Sequence, residues 1–113
     1  MATKTSKQKD KKITILKVTV ERNSYGEEVE TIAPLPGGEN IWAYYRQASA
    51  DEFFDALAIN YKVEAVFEIN WRNDLDINML ILFRGKTYRI TRIDDFEGSK
   101  NDLKIYAYNL NEE

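Results

Sequence analysis

The chain contains no cysteine and no histidine. Without cysteine there is no disulfide framework, no thiolate nucleophile and no cysteine zinc site. Without histidine it lacks the commonest general base, proton shuttle and metal ligand. Together these absences argue against an enzyme and leave only carboxylate and lysine chemistry. No cofactor is expected. No apolar run approaches the ~20 residues that span a bilayer, and no signal-peptide pattern is visible. The expectation is a soluble protein of a cytosol-like compartment, with no membrane partner. Proline occurs twice, at Pro34 and Pro36, and marks the clearest loop in the chain.

At 113 residues, with 43% apolar and 12% aromatic residues, the chain can build one real core. The net charge is −3, unevenly spread. Residues 1–12 carry five lysines against Asp10, a local +4, which leaves −7 on the remainder. This predicts a flexible basic N-terminal arm over 1–12 and a single domain over 13–113. An arm that orders against an acidic neighbour or nucleic acid is the sharper reading.

Residues 13–20 are rich in β-branched side chains and predict a first strand. Asn23, Ser24, Tyr25 and Gly26 make a turn, and residues 28–32 return as a sparsely apolar edge strand guarded by charge. A strand over 41–46 has aromatic side chains on both faces. Ser49 and Glu52 have capping-box spacing, and Phe53, Leu57 and Tyr61 form an apolar stripe on a helix of about three turns. The helix is expected across an open end of the sheet. In residues 63–72, Val63, Ala65, Phe67, Ile69 and Trp71 alternate with mostly polar neighbours, the mark of a half-buried strand. Residues 79–83 are a solid apolar run, expected to be covered on both faces. Residues 84–86 turn at Gly85, and 87–91 alternate again. These three strands predict a central antiparallel meander with Phe67, Ile69, Trp71, Leu80, Leu82, Tyr88 and Ile90 buried. A last strand covers 103–110. The fold class is mainly β: a small antiparallel β-barrel of about seven strands with one short α-helix.

No constellation carries catalysis. Asp74 and Asp76 could be paired acids or hard-metal ligands, but an EF-hand loop needs more oxygen donors, and turn residues explain them. Asp94, Asp95 and Glu97 read as a solvated loop. Gly37 and Gly38 lack the lysine and helix of a phosphate loop. Trp42, Tyr44, Tyr45, Trp71, Tyr106 and Tyr108 could stack bases on an oligonucleotide-binding β-barrel, the alternative function, yet such grooves are basic and this body is acidic. Core and subunit interface are better homes for these rings. A carboxylate enzyme would need two acids of divergent pKa in one pocket.

The order of several short motifs resembles the phage head–tail adaptor family, the head-closure or stopper proteins of long-tailed bacteriophages. The matching residues are Ile13-Thr14-Ile15, Tyr25-Gly26-Glu27, Trp42-Ala43, and Glu52 with Phe53 and Ala56. Further along they are Trp71-Arg72-Asn73-Asp74 and the hairpin over 82–90. The lysine-rich arm stands where members often have a glycine–leucine lead, and Trp71 where tyrosine is usual. The resemblance implies a virion protein that assembles in the host cytoplasm. It also implies a ring of identical copies, monomeric when free, below the portal or an adaptor and above a tail-terminator or tail protein. Genomic DNA would pass through the channel without sequence-specific binding and be helped to stay in the head. The resemblance further implies that Arg72 and Asp74 are a turn-fixing pair and that a mobile segment enters the channel. The candidate is residues 47–60, with Ser49, Asp51, Glu52, Phe53 and Phe54 at its centre, and the 34–40 loop is the runner-up. Pro34, Leu35, Pro36, Trp42 and Tyr44 are the candidate subunit interface.

Overall fold

The computed structural model describes residues 9–60, 62–95, 98 and 101–110. The elements are β1 (Lys11–Arg22), β2 (Glu28–Pro34), β3 (Ile41–Gln47), α1 (Ala50–Ala58), β4 (Ala65–Asn70), β5 (Leu80–Phe83), β6 (Lys86–Asp94) and β7 (Asp102–Asn109). All pairings are antiparallel. The sheet order is β2-β1-β3-β4-β7-β6-β5, and β1 also pairs with β5. That pairing closes six strands into a barrel and leaves β2 attached to β1 alone. Closure removes the barrel's edges, which is why so small a sheet folds on itself. The mainly β architecture with seven strands and one short helix is the one expected.

Alternation sorts side chains into a barrel interior and an outer wall. Ile13, Ile15, Ala43, Ala65, Phe67, Ile69, Ile81, Phe83, Tyr88, Ile90, Leu103, Ile105 and Ala107 fill the interior. Four rings gather at its centre. Phe67 meets Tyr45, Tyr88 and Phe83 at centroid distances of 5.3, 5.4 and 5.5 Å, and Tyr45 meets Phe83 at 4.8 Å. Tilted and edge-on packing at these separations adds to the burial itself.

Two glycines matter to this frame. Gly85 follows Arg84 in a two-residue turn joining β5 to β6, with φ of +77° and +54° respectively. Positive φ at both positions is what a tight hairpin requires. At Gly38 a Cβ would lie 3.1 Å from Leu35 and 3.3 Å from Ile15. The loop is therefore pressed against β1, and Ile15 N–H donates to the Gly38 carbonyl at 2.8 Å.

Several expectations need correction. Residues 63–93 do not form a meander of neighbours. β4 pairs with β3 and β7, and β5 pairs with β6 and β1. The connection after β4 crosses to the far side of the barrel, and alternation within a strand does not name its partner. β4 is also shorter than expected, Ala65–Asn70. Leu82 alternates outward and is 38% exposed, while Trp71 is half-buried against the core. The outer face of β5 is thus covered at Leu80 and open at Leu82. β1 begins at Lys11, inside the expected arm, and Lys9 Nζ lies 2.9 Å from Asp102 Oδ1. The rest of the arm, residues 1–8, falls outside the described residues, as do Tyr61 of the helical stripe and Glu97 of the acidic loop.

Inside and outside make different stability predictions. Phe67→Ala should cost roughly 3–5 kcal/mol in urea melts, because the ring is fully buried among three others. Leu82→Ala should cost about 1 kcal/mol or less, since its side chain already meets solvent. Equal losses would mean that the strand faces are misassigned.

Candidate functional site

The helix is built as its sequence suggests, but it is placed elsewhere. Ser49 Oγ accepts from Glu52 N–H at 3.2 Å, and Glu52 Oε1 accepts from Ser49 N–H at 2.9 Å. This is a full capping box, and it satisfies two amide donors that the first helical turn leaves open. Glu52 has a second task that spacing did not reveal. Arg46 Nη1 and Nη2 donate to its two oxygens at 2.6 and 2.8 Å, a two-pronged pair on a partly buried site. The Arg46 guanidinium, with help from the Ser49 amide, pulls the Glu52 carboxyl down to about 2.

Arg46 lies on the outer wall of β3, opposite Val66, which faces Tyr106 of β7. Val66 is fully buried although it points away from the barrel interior. The helix is pinned to this outer wall at Arg46 through Glu52, and its Ala56 and Ile59 face Arg92 and Tyr106 across a shallow cavity. It therefore lies on the side of the barrel and does not close an open end. Only Ala56 of the helix is buried. Phe54 is 63% exposed, and Leu57 and Ile59 are also open to solvent. Phe53 is half-buried and meets the Phe54 ring edge-on at 5.3 Å. Asp51 is exposed in the first turn. A shallow cavity of about 240 Å³ separates Glu52, Asp55, Ala56 and Ile59 from Val63 and Tyr106. The helix is thus held by one ion pair and a narrow apolar contact, with its larger apolar side chains turned outward.

Arg72 and Asp74 stand just after β4. Arg72 Nε and Nη2 donate to Asp74 Oδ1 and Oδ2 at 2.9 and 2.8 Å. The same guanidinium donates from Nη1 to the Gly37 carbonyl at 2.7 Å and from Nη2 to the Pro36 carbonyl at 3.2 Å. One side chain therefore clasps the turn after β4 to the loop after β2. Its hydrogen bonds hold the Asp74 carboxyl below its ordinary value. Asp76, whose carboxylate accepts from Asn78 N–H at 2.8 Å, caps the same connection.

The candidate interface residues divide. Pro34 ends β2 and Pro36 is exposed, but Leu35 is buried in the core cluster and anchors the loop. Trp42 is 54% exposed, with Lys12 Nζ 4.7 Å from its ring centre. It lines an open groove of about 390 Å³ with Ile69, Trp71 and Arg72. Tyr44 is half-buried further along the same outer face of β3, opposite Glu68. The outer face of β3 thus runs from Trp42 through Tyr44 to Arg46 and the helix.

At one mouth of the barrel, Tyr45, Glu64, Lys86, Tyr88 and Asn109 line an opening of about 440 Å³. Burial pushes the Tyr88 hydroxyl up, away from the range of a general base. Glu64 Oε1 accepts from Asn109 N–H at 2.8 Å, a structural bond. Glu64 is the single acid among these residues, and Glu52, in the first turn of α1, is held ionised by Arg46.

The Glu52 carboxyl has a lower pKa in the folded chain than in the unfolded one, so its contribution is complete above about 4.5 and disappears as the pH falls toward about 2. The stability difference between the natural chain and Glu52→Gln should be flat above pH 5 and shrink below it. A pH-independent difference in urea melts counts against the Arg46 pair. For the second clasp, Asp74→Ala should cost about 0–1 kcal/mol, as an exposed ion pair does. Arg72→Ala should cost about 1 kcal/mol more, because it also frees two loop carbonyls.

With this geometry in hand, comparison with known proteins assigns the family. The solution structure of protein SF1141 from Shigella flexneri 2a superposes with a TM-score of 0.77 and 21% sequence identity, covering 95% of this chain and 97% of that one. At that identity the likeness shows a shared fold. A search of the curated proteins finds no match. A family model described as phage head completion protein matches residues 6–107. The match spans every described strand except the last residues of β7, and on it the chain belongs to the phage head completion protein family.

Proposed function

We propose that this head completion protein forms a ring of identical copies below the portal. There it helps to retain packaged DNA and offers the surface on which the tail docks. The family match over residues 6–107 is the observation that carries this reading. The family implies a virion component that meets portal and tail proteins and suggests a structural role without catalysis. The acidic body supports a channel wall past which DNA slides, because it offers phosphate little purchase.

The segment around α1 is the proposed channel element, with Ser49, Asp51, Glu52, Phe53 and Phe54 at its core. Its exposed Phe54 and Leu57 and its single buried residue support a unit that can repack when neighbours arrive. The loop with Pro34 and Pro36, together with Trp42 and Tyr44, is the proposed contact between copies. Leu35 serves that contact by holding the loop from within. Arg72 and Asp74 fix the turn behind it. The free protein is proposed to be a monomer that assembles only on its partner.

Electron microscopy of particles made with and without this chain tests the role. Without it, filled heads should lose DNA and carry no tails; with it, a ring should stand between head and tail. Normal tailed particles in its absence would end the proposal. In the free subunit, amides of 54–58 should exchange faster than those of 67–69. Equal protection would make the helix a fixed part of the barrel and move the channel role elsewhere.

A further inference from the structure

β1 changes partners along its length. Residues 11–13 pair with β3 and 14–16 with β5, but 17–22 pair with β2 alone. Beyond the barrel wall, β1 and β2 therefore form a two-stranded arm. β2 is exposed at every position, as is β1 from Thr19 onward. A lone two-stranded ribbon is marginal in water and gains order from a third surface.

The arm is suited to a particular kind of surface. Directly opposed residues share a face, so Val18, Val20, Arg22, Glu28, Glu30 and Ile32 lie together. Val20 and Ile32 are each 53% exposed. Residues 17–33 hold four carboxylates against two cations. The complementary surface is on the same chain. Residues 77–93 hold Arg84, Lys86, Arg89 and Arg92 and no carboxylate. On the outer wall of β5 and β6, Leu82, Arg89 and Arg92 lie on one face, all three exposed.

We propose that the β1–β2 arm of one copy docks on the β5–β6 outer wall of a second copy. Val20 and Ile32 cover Leu82, and Glu28 and Glu30 meet Arg89 and Arg92. Donor and acceptor are different patches, so the contact is heterologous: it repeats around a ring and does not stop at a pair. The inference rests on the ring reading above and gives that ring its bond. An acidic arm is repelled by phosphate, which excludes DNA as the occupant.

The chain has no natural cysteine, which makes crosslinking clean. Copies carrying V20C and copies carrying L82C, mixed at high concentration and oxidised, should give at least about tenfold more heterodimer than V20C mixed with D51C. E28K/E30K and R89E/R92E, built into the respective crosslinking partners, should each abolish the excess. Mixed together, these two charge-reversed proteins should restore it. Thermal melts of both should match the parent, since all four positions are exposed. No excess over the D51C control, or no rescue in the swapped mixture, overturns the docking. The same variants tested in particles separate the two readings. A ring that forms with E28K/E30K but takes no tail assigns the arm to a tail protein and ends this proposal while leaving the ring. Particles with no ring of the unaltered chain end both.

Discussion

Three residue pairs, 14–16 of β1 against 80–82 of β5, close the barrel, and the rest of the structure depends on them. They set which side chains are core, because closure decides which face of every strand is inside. They also fix the end of the barrel along β1. From residue 17 the strand has no barrel neighbour left and continues outward with β2. The arm is thus a by-product of closing a six-stranded barrel with a strand twice as long as the closure needs.

The connections are held by charge, and the barrel by apolar packing. Arg46 and Arg72 each make a two-pronged bond to a carboxylate a few residues away and draw a second element to the wall. Arg46 holds the start of α1; Arg72 holds the loop that carries Pro36 and Gly37. Such links are weak beside the interior. Phe67 and its three aromatic neighbours supply a closely packed centre, while the helix buries Ala56 alone.

Much of this was legible in the residues. Alternation found the strands, and Ser49 with Glu52 found the helix start, because both signals are local. Strand neighbours were not legible: alternation in 63–72 and 79–83 reports which face is buried and is silent about which strand lies alongside. The apolar character of Leu82 suggested core, yet its parity with Thr14 turns it outward. Phe54 and Leu57 read as a covering stripe, but a stripe does not say whether its own barrel or another chain will cover it. The Arg72 bonds to Pro36 and Gly37 span some 35 positions and belong to tertiary structure alone. The opposite charges of 17–33 and 77–93 were visible in the chain, and they acquired meaning only once the fold set one on an arm and the other on a wall.

Because the arm stands outside the closed barrel, its length is uncoupled from the core. Insertion of two residues into each strand at the root of the arm, after Lys17 and before Ala33, would carry Val20 and Ile32 outward by about 7 Å and keep them on their present face. Insertion of one into each strand at that root would turn the face of everything beyond it, putting Thr19, Glu21, Val29 and Thr31 on the side that Val20, Glu28, Glu30 and Ile32 now occupy. The reach of the arm can therefore change in steps of a strand repeat, with no alteration to the barrel.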